Sequence, residues 1–424
     1  MVKLTQYEQQ MLAGEFGEFK RIALQNVVDY ANVLGAEELC EVTKATVYLG
    51  AHPYLDIIDS DNYEEVFSEM MLCSDKVIPF GDFCAQCTCQ TDTTPCDQYA
   101  HENTPADKKR FEKNISYLKT VCEHGVSIAN SCTPYQTGWI PLMGEHFVTT
   151  ESSNVLFSNS VFGACGNGNG LEATTWCAIC GRAPLWGLHV KENRYGTHAY
   201  KIECASDTDI DWDIIGYTIG RFLPENAIPV ITGDFKRPDM NKLKRCFACM
   251  ATTSGAEMCH VVGITPEAMT FEMATNGKDI PVRVISQADY DESFNMICDK
   301  GCGDIQFVAL GCPHFNLEEV KRAADYIRGK KVNPNVTFYI WTDLATKAMA
   351  DASGYTKTIE DAGAILGNSS CPLVGGCESF RKSSGLVIDS GKQAHYLRSE
   401  TNARMYYGSM EKCIDAAVSG RWEG

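Results

Sequence analysis

Three cysteines stand in segments where the chain turns: Ser131-Cys132-Thr-Pro-Tyr-Gln-Thr-Gly138, Leu310-Gly-Cys312-Pro-His314 and Asn368-Ser-Ser-Cys371-Pro-Leu373. A proline close to each restricts the local backbone. Cys312 falls where a buried strand ends and a capped helix is about to begin, and the helix N-terminus and turn amides there favour thiolate over thiol. Three thiolates widely separated in sequence are what an iron–sulfur cluster with one unligated iron needs. Soft ligands hold the cluster, and the remaining iron is open as a Lewis acid. Spacing alone does not bring the three together, and for a lone cysteine a small buried hydrophobe is the competing reading.

The elements that must position these loops read as alternating strands and helices. Thr5-Gln-Tyr-Glu8 is a capping box, and the apolar positions running to Leu34, broken at 14–17 and stopped by Gly35, predict an N-terminal helical hairpin. A helix is expected at 106–124, where Phe111, Ile115, Leu118 and Cys122 recur at helical spacing. Strands follow at 228–231, 258–262, 282–285, 305–310, 336–341 and 386–388, with helices at 240–250, 289–298, 316–328 and 344–352 between them. This rhythm predicts an α/β fold of parallel sheets flanked by helices, with sites at the carboxyl ends of strands. No linker or low-complexity tract separates lobes, so approximate lobes 1–205, 206–303 and 304–424 are expected to pack as one body.

The chain has 424 residues and a net charge of −18, which repels phosphate backbones and anionic lipid and argues against nucleic acid or membrane partners. With 44% apolar and 22% charged residues it has the composition of an ordered protein. The polar N-terminus and the lack of any long apolar run predict a cytoplasmic location. There, 21 cysteines favour metal ligation, catalysis or burial over disulfides and point to an anaerobic host.

Ser131-Cys-Thr-Pro-Tyr135, Gly144-Glu-His146, Glu151-Ser-Ser153, Ser158-Asn-Ser-Val-Phe-Gly-Ala164, Gly187-Leu-His189, Glu192-Asn-Arg194, His260 to Glu267, Ala309 to His314 and Ser390-Gly-Lys392 occur in one order along the chain. In these blocks the sequence resembles the large, catalytic part of the aconitase X family, over residues 1–424. The resemblance implies three Rossmann-like subdomains packed as one aconitase-type core. It also implies a dehydratase of small hydroxylated carboxylates such as cis-3-hydroxy-L-proline or 5-phosphomevalonate. The metal ligands it implies are Cys132, Cys312 and Cys371, holding a four-iron cluster, with a two-iron cluster or mononuclear iron as alternatives. Lys392 and Ser390, with Glu145 and His146, are the implied catalytic candidates; Gly50, Ala51, His52, Asn159 and Ser160 are the implied substrate-binding positions. The family's small swivelling domain has no counterpart in this sequence, which implies a separate small subunit.

Two stretches depart from the family. Gly163-Ala-Cys165-Gly-Asn-Gly-Asn-Gly170 stands where relatives carry two arginines, and small residues cannot replace a bidentate fork. A phosphorylated substrate is thereby disfavoured, and Cys165 becomes a candidate contact for iron or substrate. Cys84, Cys87, Cys89 and Cys96 form a second candidate site for zinc or a further cluster. The pairs Cys177/Cys180 and Cys246/Cys249 read as buried helix positions. Against the leading reading of an iron–sulfur hydro-lyase stand an aconitase-like isomerase and a non-catalytic iron–sulfur or zinc protein that keeps the fold.

Overall fold

The structure is a computed structural model that describes residues 1–49, 58, 60–92, 105–375 and 378–424. Helix Gln6–Leu12 begins at the capping box, with Glu8 N donating to Thr5 Oγ1 at 3.4 Å and Thr5 N donating to Glu8 Oε2 at 2.8 Å. The chain turns and continues as helix Glu18–Leu34, ended by Gly35 at φ 75°. Its apolar face of Phe19, Ala23, Leu24, Val27 and Ala31 is buried, and it packs on helix Leu171–Cys180. Cys177 and Cys180 lie on the buried side of that helix, as their spacing suggested.

Three separate sheets follow, each wholly parallel. The first runs Val126–Ser127, Gln86–Cys89, Lys44–Val47, Phe147–Thr149 in spatial order. The second runs Val282–Ser286, His198–Glu203, Pro229–Gly233, His260–Val261. The third runs Ile365–Asn368, Thr337–Thr342, Phe307–Phe315, Gly385–Ile388, Arg404–Tyr407. Parallel strands need crossovers, and the helices supplying them cover the sheet faces. The expected strand at 258–262 shortens to His260–Val261. Helix Asp209–Phe222 was not anticipated, because residues Trp212 to Gly220 are buried in one unbroken run and leave no polar stripe to set a period. Gly216 is what lets it lie against helix Met240–Ser254, since a Cβ there would stand 2.0 Å from Cys246 O.

Helix Met240–Ser254 also reaches the third sheet. Lys244 Nζ donates to His314 O at 3.0 Å and pairs with Glu319, both side chains being at most 3% exposed. Arg245 donates to Asp389 Oδ2 at 2.7 Å and to Asp389 O at 2.6 Å, and the second oxygen of that carboxylate accepts from Gly311 N at 3.3 Å. Asp213 accepts from Gly391 N, Tyr407 Oη and Cys249 Sγ at 2.7, 2.7 and 2.8 Å. Charges carried by helices of the second sheet therefore hold the strand-end turns at 311–314 and 389–391 of the third.

Removing one partner of a buried pair leaves the other charge uncompensated, at a cost of about 3–5 kcal/mol. Lys244→Met is expected to lower unfolding stability by about that much, and Lys244→Met with Glu319→Gln to recover at least half of it. Denaturant titration followed by circular dichroism measures both; equal midpoints for the single and double variants contradict the assignment.

Candidate functional site

Two of the three cysteines follow the carboxyl ends of strands of the first and third sheets, and the third lies in a bulge within a strand of the third. Cys132 follows strand Val126–Ser127, beyond Asn130 at φ 46°. Cys371 follows strand Ile365–Asn368, beyond Ser369 at φ 69°. Cys312 lies within strand Phe307–Phe315 and not, as the sequence suggested, beyond its end. Pairing with the neighbouring strand continues to Phe315, but its register shifts between Leu310 and Phe315, and Gly311 to His314 bulge out of it. Gly311 at φ 91° makes the bulge possible: a Cβ there would lie 2.2 Å from Trp341 O.

One buried imidazole stitches the loops together. His314 Nε2 lies 2.9 Å from Ser370 O and Nδ1 lies 3.3 Å from Ser131 Oγ, while His314 N donates to Cys132 Sγ at 3.3 Å. A carbonyl only accepts, so Nε2 carries the hydrogen and Nδ1 receives the Ser131 hydroxyl. Burial holds the ring below its ordinary pKa and keeps it neutral. A bond from Asp92 N to Ser369 O at 2.7 Å joins the first sheet to the same corner.

As thiols, Cys132, Cys312 and Cys371 are each pushed up to about 12, first by burial, and each also feels another of the three: Cys132 feels Cys312, Cys312 feels Cys371, and Cys371 feels Cys132. The three thiols are therefore near enough to sense one another's charge. Ser390 hydrogen-bonds to Cys312 and caps helix Gly391–Glu400 by accepting from Gln393 N at 3.2 Å. Lys392 Nζ contacts Glu151 Oε1 at 2.6 Å. Burial opposes charge on both, but mutual attraction wins: the lysine is held above its ordinary pKa, and the carboxyl, helped by Ser153, below its own. Glu151 was not among the expected catalytic positions. Its signal was the Glu151-Ser-Ser153 block just after an apolar strand, where a carboxylate caps the next helix.

Ser370 Oγ and both ends of the Gln393 amide, one residue from Cys371 and Lys392, are buried with no hydrogen-bond partner among the described residues. Buried polar atoms of this kind are costly unless a ligand or water satisfies them. Two buried thiols and the half-buried Cys132, beside a cation and unpaired polar groups, fit an anionic, iron-containing group.

Other expected residues lie elsewhere. His146 stands just before strand Phe147–Thr149, at the opposite end from Glu151, with its Nδ1 3.0 Å from Nδ1 of His189. Glu145 accepts from Leu142 N at 2.7 Å and from Thr43 Oγ1. Asn159 is fully buried, bonded to Gly166 N and O and to Glu257 O, and receives Arg194. Ser160 spans Leu156 O and Cys259 N. Their polar groups brace the backbone. Cys165 bridges to His146, away from the cysteine trio. The expected site at Cys84, Cys87 and Cys89 is not formed among the described residues: Cys87 and Cys89 face the core of the first sheet as alternate strand residues, while Cys84 is exposed. Cys96, Gly50, Ala51 and His52 lie outside the described residues. A cleft of about 1310 Å³ opens between helices of the second and third sheets and is lined by Arg245, Arg322, Glu411 and Trp422, with none of the three cysteines.

Family models match almost end to end: Aconitase X first domain over residues 1–192, second domain over 196–295 and third domain over 305–419. The phosphomevalonate dehydratase large subunit of Methanocaldococcus jannaschii is 28% identical over 418 residues, 97% of this chain and 99% of that protein. The cis-3-hydroxy-L-proline dehydratase of Pseudomonas aeruginosa is 29% identical, covering 99% of this chain and 70% of its own length. The crystal structure of holo-form Thermococcus kodakaraensis aconitase X superposes with a TM-score of 0.81 at 28% identity, covering 98% of this chain and 100% of that one.

If His314 sets the approach of the loops, His314→Ala frees them. Each buried group it leaves unpaired costs about 1–3 kcal/mol, and alkylation of Cys132, Cys312 and Cys371 in metal-free protein should accelerate at least tenfold by peptide mass mapping. Rates unchanged relative to exposed Cys73 would refute the bridging role.

Proposed function

The chain belongs to the aconitase X family, and from that premise we propose that it is the large, catalytic subunit of an iron–sulfur hydro-lyase. Its substrate is a small hydroxy acid or hydroxylated imino acid, and its core is the three-subdomain arrangement of aconitase. The observation that carries the reading is that three thiols from separate loops, two of them buried, sense one another's charge and that of the buried Lys392. Relatives named as dehydratases support the reaction class, and a relative named as a large subunit supports a separate small, swivelling partner.

Cys132, Cys312 and Cys371 would hold the cluster, which when bound supplies Lewis-acid activation of the hydroxyl leaving group. Lys392 presents an ammonium in a low-dielectric pocket, where it attracts a substrate carboxylate far more strongly than it would in water. Glu151 fixes that ammonium at 2.6 Å and keeps it protonated. Ser390, held as a helix cap, orients Cys312. His314 holds the loops and stays neutral, so it adds no positive charge beside the donors. Removal of the substrate proton falls to a base on the small subunit.

Anaerobic protein reconstituted with iron and sulfide, with and without a small-subunit homologue, tests the proposal on cis-3-hydroxy-L-proline and on 5-phosphomevalonate. Release of a free alkene acid or its imino tautomer by the pair is expected. Lys392→Met should lower kcat/KM by roughly 10²-fold or more with iron content unchanged, and Cys312→Ser should abolish iron retention. Full iron loading of a triple variant lacking all three cysteines would overturn the ligand assignment.

A further inference from the structure

At the end of the first sheet remote from Lys392, four segments bring sulfur and imidazole donors together. Cys40 comes from strand Leu39–Glu41, which pairs antiparallel with Arg182–Pro184. His146 precedes strand Phe147–Thr149, and His189 ends the short turn Gly187–His189. One ligand atom from each of these three residues lies within 4.8 Å of the others. Cys165 is the parallel bridge partner of His146, so the two side chains leave the same face, and its charge is felt at Cys40.

We propose that Cys40, Cys165, His146 and His189 form a tetrahedral zinc site, separate from the cysteine trio and structural in role. Tetrahedral ligands at ordinary Zn–N and Zn–S lengths are roughly 3.4–3.8 Å apart. Cys40, His146 and His189, with ligand atoms within 4.8 Å of one another and the imidazole nitrogens at 3.0 Å, reach that arrangement with shifts of about 1 Å; Cys165, outside that group, would complete it as the fourth ligand. Two thiolates with two imidazoles are a donor set of structural zinc and ill suited to hard cations.

The surroundings are those of a ligand shell. The His189 ring is also hydrogen-bonded to the Cys165 backbone, which fixes its plane in the way second-shell carbonyls orient zinc-bound histidines. Asn167 pins the turn that carries it, accepting from Leu188 N at 2.7 Å and donating to Trp186 O at 3.0 Å. Binding balances as Zn²⁺ replacing the protons of two thiols, which pass to solvent. The ion then cross-links the strand after the N-terminal hairpin to the first sheet and to the 187–189 turn.

The test uses the full chain carrying Cys132→Ser, Cys312→Ser and Cys371→Ser, so that the trio cannot bind metal. One zinc per chain by elemental mass spectrometry is expected, with release of two protons per Zn²⁺ at pH 7.5. Co²⁺ in its place should show thiolate charge-transfer and tetrahedral d–d bands. Adding Cys40→Ser or His189→Gln should weaken binding at least about 100-fold. Circular dichroism identical to the parent shows that the fold is kept, and the proton count needs no ligand variant. Zinc binding weaker than micromolar, or no proton release, overturns the site; unchanged affinity after Cys165→Ser overturns the fourth ligand.

Discussion

A histidine sealed from water must find partners for both ring nitrogens or pay their desolvation, about 1–3 kcal/mol apiece. His314 finds them on Ser131 and Ser370, each adjacent in sequence to a cysteine, while its own segment carries the third. The backbone bond from His314 N to Cys132 Sγ adds a direct strut. Satisfying one imidazole thus obliges three loops, remote in sequence, to share one corner of the molecule. The neutral ring does this without bringing a charge that would compete with Lys392.

Behind that corner, the interior is unusually ionic. Lys244 with Glu319, Arg245 with Asp389 and Asp213 with Gly391 and Tyr407 are all buried, and all tie helices of the second sheet to strand-end turns of the third. Buried pairs contribute little net stability against well-packed apolar residues, but they tolerate few alternative arrangements. Their effect here is positional. His314 and Gly391 are each held by a directed hydrogen bond from or to helices of the second sheet, and Gly311 is held by Asp389, itself paired with Arg245, so the bulge bearing Cys312 and the helix bearing Lys392 cannot drift independently.

The first sheet separates two kinds of donor along one strand. Beyond Thr149 lie Glu151 and the route to Lys392 and the trio; before Phe147 lie His146, His189 and Cys40. Parallel sheets gather reactive groups at carboxyl ends because the crossover loops there are free to vary. The amino-terminal end is a place for cross-links that stabilise, and the N-terminal hairpin docks beside it, with Glu8 accepting from Arg182 Nε at 2.9 Å.

Much of the architecture could be read from the chain alone, since apolar periods, capping boxes and turn residues act over a few neighbours. The hairpin, the alternating strands and helices and the three turn cysteines are local signals of this kind, whereas Lys392 came from the family resemblance. Strand Gln86–Cys89 was hidden because cysteines stood where β-branched residues are expected, and helix Asp209–Phe222 because burial on every side erases its period. Which partners met was a different matter. Glu151 with Lys392 is separated by 241 residues, His146 with His189 by 43, and the Asn159 and Ser160 side chains bond to backbone of distant or neighbouring turns. Such pairings are chosen by desolvation, which acts only once the sheets have packed and water has left. The sequence by itself determined which side chains were able to do chemistry; tertiary structure decided which were put to it.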